Sequence, residues 1–311
     1  MRPTPPAPRS ERPGLGLVYG VAAYGLWGFL PLFFLLLEPA SPWEIVAYRI
    51  LMSLGFCVVL LTVTRGWGAL VAIIRRPRTL LTMAVAGVFI YINWQVFVLA
   101  TLTGHVVEGS LGYFINPVVT VALGVLVLRE RLRPLQWAAV GVSVVAILVI
   151  AIGYGSFPWI ALALAFSFGI YGFLKKRVGG EVDAVSGLTL ETAWLVPVAI
   201  VQLVITDAVI GLTFGNAGAL HASLMVGAGV VTAVPLLLFA GAARRLPLVA
   251  LGLTQYLTPL LQFLTGVVLL HEPMPLERWI GFGLVWVSLV LLTIDMVRAA
   301  RANRAASAAG A

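Results

Sequence analysis

The chain has 311 residues, 61% of them hydrophobic and only 10% charged, with a mean hydropathy of +1.04. A soluble domain carries about 25% charged residues, so the composition excludes a soluble globular enzyme and indicates an integral membrane protein. The net charge of +8 does not point to nucleic acid, because the basic residues lie between apolar runs and form no patch.

The first 13 residues, MRPTPPAPRSERP, are rich in Pro and Arg and read as a disordered tail. The run that follows, 14–37, is longer than a signal-peptide core and has no small-residue cleavage site after it, so it reads as a membrane span. Nine more runs follow, near 44–64, 79–100, 107–128, 134–153, 157–174, 184–206, 221–242, 248–270 and 276–297. Residues 298–311 form a second tail. A strand reading fails because period-2 alternation is lacking and lipid offers no partner to a sheet edge. The expectation is an all-α membrane protein of ten transmembrane helices.

Basic residues orient the spans. With the N-terminus in the cytoplasm, 18 of the 20 Lys and Arg fall in inside segments and one, Arg278, falls outside; Arg49 lies within a span. This bias supports ten spans with both termini cytoplasmic. Cys57, the only cysteine, sits in an apolar run, and His105, His221 and His271 are scattered. Neither a disulfide framework, a metal nor a cofactor is expected.

The chain repeats itself. Shifted by 142 residues, Met83 meets Met225, Gly87 meets Gly229, Pro117 meets Pro259, Glu130 meets Glu272 and Trp137 meets Trp279. Spans 1 and 6 match at a shift of 144, with Gly25, Gly28 and Phe29 against Gly169, Gly172 and Phe173. Paired Pro, Trp and Glu at one shift are not what unrelated apolar helices give. The repeats run 14–153 and 154–297. Each holds five spans, an odd number, so the second enters the membrane from the opposite side. Two inverted five-helix repeats form the architecture of alternating-access transporters, whose sites lie at the repeat interface.

Pro117 and Pro259 each fall near the middle of a span. A mid-helix proline removes a backbone hydrogen bond at a cost of about 3 kcal/mol, and the freed carbonyl needs a partner that lipid does not provide. Asn116 and Thr258, directly before the prolines, are local candidates for that partner. Tyr113, Asn116 and Thr120 share one helix face, as do Gln255, Thr258 and Gln262. Two readings are open: interhelical hydrogen bonding, or two symmetric stripes lining a central cavity. Span 3 adds Asn93, Trp94 and Gln95 in YINWQVF, where the two amides lie about 200° apart around a helix and cannot face one cavity together. Tyr24 and Trp27 in span 1, with Phe168 and Tyr171 in span 6, are weaker candidates.

Arg49 and Glu191 are charges inside spans, and the 142 shift pairs them. An intramembrane charge is a functional candidate by default. Arg49 is about 8 Å deep, shallow enough to snorkel, and Glu191 about 10 Å deep with a shorter stem. Arg49 is expected to attract an anionic group or to pair with Glu44 or Glu108. Glu191 is the expected protonatable coupling site. Glu130 and Glu272 read as structural, pairing with Arg129, Arg133 or Arg278. Gly16, Gly20, Gly25 and Gly28 suit close helix packing.

The stretches SPWEIVAYRI, YINWQVFVLA, EGSLGYFINP and LTLET, at 41–50, 91–100, 108–117 and 188–192, resemble those of RarD-type permeases of the EamA family, in the drug/metabolite transporter superfamily. The resemblance covers nearly everything from Gly14 to about Arg298. It implies ten helices in two EamA units and a place in the bacterial inner membrane. It does not imply a substrate. The expected function is a secondary transporter, an exporter of small organic solutes such as amino-acid-like or aromatic metabolites or drugs, with protons as a candidate coupling ion. No phosphate-binding loop is present for ATP, and HEP at 271–273 lacks the second His of a zinc motif. A lipid flippase or a non-transporting accessory protein is the alternative.

Overall fold

The computed structural model describes residues 13–128, 132–153, 157–178, 181–243, 245–246 and 248–309. All regular structure among them is helical. The first half holds α1 (Pro13–Gly28), α2 (Leu30–Leu35), α3 (Pro42–Val63), α4 (Trp67–Ile74), α5 (Pro77–Leu102), α6 (Val106–Leu128) and α7 (Pro134–Gly153). The second holds α8 (Trp159–Val178), α9 (Ala184–Ile210), α10 (Ala219–Ala243), α11 (Leu248–Thr254), α12 (Leu257–Leu264), a π-helical turn (Thr265–Leu269) and α13 (Leu276–Ala309).

Local chemistry sets several ends. Ser41 accepts from the Glu44 N–H at 3.2 Å and Pro42 opens α3. Asp183 accepts from the Val185 and Ser186 N–H groups at 3.1 and 3.0 Å, and α9 stops at Gly211, whose φ of 79° suits glycine. Seven helices are long and apolar enough to cross a membrane, and the segment Trp159–Lys175 is a shorter apolar helix. The other two apolar runs, 14–37 and 248–270, are each divided between helices: α1 and α2 part at Phe29, before Pro31, and α11 and α12 part at Gln255 and Tyr256. The short α4, between α3 and α5, was not expected.

The strongest packing joins the two halves. α3 lies on α9 and α7 on α13; α5 and α6 both lie on α8, while α10 and α12 both lie on α1; α10 also meets α3, as α5 meets α9. Under the shift, each of these contacts maps onto itself or onto another in the set. Backbones come close where side chains are small: a Cβ on Gly112 would sit 2.6 Å from the Ala161 carbonyl oxygen. One on Gly229 would run into the backbone of Met52. Large apolar side chains such as Val59, Leu148 and Ile205 point outward, as a lipid-facing surface requires. Inside, Ile45, Ile50, Trp94, Phe97, Leu164 and Met225 form a core between the halves.

Candidate functional site

Arg49 lies on α3, only 4% exposed. It does not snorkel, and it does not reach Glu44 or Glu108. Its Nε donates to the Thr232 hydroxyl of α10 at 2.9 Å. The guanidinium carbon stands 4.4 Å from the Trp94 ring centroid and 5.4 Å from that of Phe34. Its Nη1 is buried without a hydrogen-bond partner among the described residues.

The two expected acidic partners are occupied elsewhere. Glu44, fully buried, accepts from the Thr213 N–H at 2.9 Å, the Phe214 N–H at 2.8 Å and the Thr213 hydroxyl at 3.0 Å. Glu108 accepts from the Ile160 N–H at 3.1 Å, at the start of α8. Glu272 completes the set, taking the Val106 and Val107 N–H groups at the start of α6 at 2.6 and 3.0 Å. All three carboxylates sit at one end of the bundle, and each binds backbone donors of the other half. An anion at a helix N-terminus meets free N–H groups and the positive end of the helix dipole. Burial pushes the Glu272 carboxyl up from its ordinary value, against the pull of those N–H groups and of Arg278. Of the partners expected for Glu130 and Glu272, Arg278 acts on Glu272, whereas Arg133 pairs with Asp295 at 2.8 Å. Glu130 and Arg129 lie outside the described residues.

Glu191 is 1% exposed and already paired. It accepts from Lys175 Nζ at 2.9 Å and from the Tyr171 hydroxyl at 3.2 Å. By sequence alone Lys175 is an ordinary basic residue at the end of an apolar run. Its position one span before Glu191 was the available signal.

The amides of α5 part as their spacing requires. Asn93 donates to the Leu164 carbonyl and the Ser167 hydroxyl, both at 3.2 Å, and accepts from the Tyr113 hydroxyl at 2.9 Å. It therefore ties α5 to α6 and α8. Gln95 turns to α9, where its Oε1 accepts from Gln202 at 2.8 Å while its Nε2 is buried and has no partner among the described residues. Gln202 also donates to the Trp43 carbonyl and accepts from the Tyr91 hydroxyl. Beside them runs an open groove of about 730 Å³, lined by Trp43, Tyr91, Val201, Gln202, Ile205 and Thr206 among others.

The two polar stripes do different jobs. In the first, Tyr113 binds Asn93, Thr120 bonds back to the Asn116 carbonyl at 3.0 Å, and the Asn116 Oδ1 is buried without a partner among the described residues. In the second, the Thr258 hydroxyl donates to the Tyr24 carbonyl at 2.8 Å and Gln262 Nε2 to the Trp27 carbonyl at 3.2 Å. Trp27 lies four residues before Pro31, which has no N–H, so Gln262 serves the carbonyl that Pro31 leaves free. Thr258 does not serve its own helix with its hydroxyl; its backbone N–H takes the Gln255 carbonyl that Pro259 frees, at 3.3 Å. Gln255 is half-buried at the break between α11 and α12. Residues that the sequence reading missed, Thr232, Phe34, Ser167 and Gln202, carry no charge or motif and stand out only by their contacts. Among the described residues no group of three His, Cys, Asp or Glu could hold a metal ion.

An all-helical bundle with seven long apolar helices and buried charges between its halves defines a multi-pass membrane protein. Residues 14–152 match the EamA-like transporter family. Protein RarD of Streptomyces exfoliatus is 49% identical over 290 residues, 93% of this chain and 91% of that one. Protein RarD of Escherichia coli K12 is 40% identical over 283 residues, 91% and 95% of the two chains. An uncharacterized transporter of Bacillus subtilis, YojE, is 39% identical over 293 residues, 93% and 97% of the two chains. A solved crystal structure, 18% identical, superposes with a TM-score of 0.58 over 91% of this chain and 98% of that chain, and shares its fold. The chain belongs to the EamA-like transporter family, as a permease of the RarD type.

Proposed function

We propose that this protein is a secondary transporter that moves small organic solutes, amino-acid-like or aromatic metabolites or drugs, outward across the bacterial cytoplasmic membrane by alternating access. Ten spans form two inverted five-helix repeats, 14–153 and 154–297, with both termini inside. The observation that carries this reading is the cross-half packing, in which α3 lies on α9, α7 on α13, and the α5 and α6 contacts with α8 mirror those of α10 and α12 with α1. Glu44 at the start of α3 meets Thr213 just past the end of α9, which fits repeats of opposite direction. The names of the relatives as transporters support the class.

In this orientation Glu44, Glu108 and Glu272 lie on the outer side, and their bonds across the halves hold that side shut. Opening outward requires breaking them. Arg49, Trp94, Tyr113, Asn93 and Asn116 form the solute site in the seam. Glu191 is the proton carrier, and protonating it would release Lys175 and loosen α8 from α9. The Lys175–Glu191 pair supports that role because the neutral acid cannot hold the ammonium as an ion pair.

The test is counterflow in proteoliposomes with labelled aromatic amino acids and their deaminated acids, run beside labelled phospholipid. Solute exchange that is lost in Arg49→Met supports the proposal. The apolar groove on α9 gives a flippase reading one supporting observation; movement of lipid with no solute exchange would establish that reading instead.

A further inference from the structure

We propose that the solute recognised at Arg49 is an organic monoanion, a carboxylate carried on an aromatic or similarly flat apolar body. This rests on the transporter reading for its physiological consequence, and on the surroundings of Arg49 for its chemistry.

Charge accounting across the buried seam leads there. Glu191 is neutralised by Lys175, and Asp295 by Arg133. Glu44, Glu108 and Glu272 each take backbone N–H groups. Among the described residues Arg49 has only neutral neighbours: the Thr232 hydroxyl, the Trp94 and Phe34 rings, and Tyr113 close by. A guanidinium does not give up its proton in a protein. Ring faces attract its charge but accept no strong N–H bond. A buried cation is costly unless it is paired. The unpartnered Nη1 is therefore a donor in need of an anionic acceptor, and carboxylate geometry matches the guanidinium fork.

The body of the solute follows from the rings beside Arg49. Phe34, Phe97, Tyr113 and Phe168 form a continuous chain, with centroid separations of 6.1, 5.6 and 5.8 Å. Flat apolar groups pack well in such surroundings. The charge balance narrows the class further. An amino acid also brings an ammonium group, but Glu191, the acid that the repeat places opposite Arg49, is already held by Lys175. A phosphate ester brings two negative charges against a single guanidinium. A monocarboxylate matches both counts, so deaminated aromatic acids are favoured over the amino acids themselves.

The experiment is isothermal titration of the purified full-length protein in detergent with 3-phenylpropionate, 3-phenylpropionamide, phenylalanine and phenethylamine, with benzoate and indole-3-acetate as further carboxylates. The expected result is that one or more of the carboxylates binds, and that 3-phenylpropionate binds at least tenfold more tightly than its amide, phenylalanine or the amine. Arg49→Gln should lose that preference and Arg49→Lys keep part of it. Equal binding of acid and amide, or no binding of any of the three carboxylates, overturns the proposal. The ligand series on the unsubstituted protein decides the matter even where an Arg49 variant does not fold. Anion binding without movement across proteoliposomes would leave recognition standing and remove transport. Full-rate transport of phenethylamine by Arg49→Met would do the reverse.

Discussion

The 142-residue shift pairs Arg49 with Glu191, yet their surroundings differ. Arg49 faces rings and a hydroxyl, with a free N–H. Glu191 faces an ammonium and a phenol, with both oxygens engaged. The prolines differ in the same manner. Pro117 lies inside the continuous helix α6, whereas Pro259 follows a break and precedes a π-helical turn. Positions that the shift pairs are thus unlike where polar groups meet. One pole is satisfied by the protein itself, while at the other the Arg49 Nη1 has no hydrogen-bond partner among the described residues. Membrane helices make this divergence consequential, because a buried polar group has no water to fall back on.

Breaking the satisfied pole should give the largest effect. Lys175→Ala leaves Glu191 buried without its cation and should destabilise the protein by about 3–5 kcal/mol, read as a fall in thermal unfolding temperature in detergent. Lys175→Ala combined with Glu191→Gln should recover much of the loss; no recovery would mean that Lys175 acts through packing and not as the partner of Glu191. At the other pole, Arg49→Met removes a charge that no acid among the described residues balances, so stability should hold or rise while solute exchange falls at least tenfold. A stability loss as large as that of Lys175→Ala would show that Arg49 has a structural partner after all.

The prolines should give a smaller contrast. Pro117→Ala restores an N–H facing the Tyr113 carbonyl and should stabilise by about 1 kcal/mol, with slower exchange if the weakened turn is needed for movement. Pro259→Ala should gain less, since the Thr258 N–H already takes the Gln255 carbonyl. Equal shifts in unfolding temperature would remove the asymmetry. The smallest effect is expected for Thr258→Val, about 0.6 kcal/mol, the usual worth of one interhelical bond in a membrane protein. A change of several kcal/mol would mean that the α1 carbonyl at Tyr24 finds no substitute donor.

Much of this architecture was legible in the chain. The ten apolar runs are all helical, and the residues paired by the 142-residue shift lie in helices whose contacts mirror one another. Arg49 and Glu191 stood out as charges in apolar surroundings. The opposed directions of Asn93 and Gln95 followed from helical pitch alone. The partners did not. Nothing near Arg49 in sequence indicates Thr232, 183 residues away. Nothing around Thr258 and Gln262 indicates that they serve carbonyls of α1, and the reading of one shared cavity stripe overlooked the carbonyl freed by Pro31.

The amino-acid order by itself determined that the chain is a helical membrane protein and which positions carry charge in apolar surroundings. Lipid permits only helices there, and a charge in lipid is conspicuous whatever surrounds it. Only the tertiary structure decided which charges are satisfied from within. That depends on how each helix is rotated and tilted against its neighbours, and a turn of one helix by a single residue moves a side chain about 100°. Such rotations arise from the packing of all the helices together, so they are not written in any one segment.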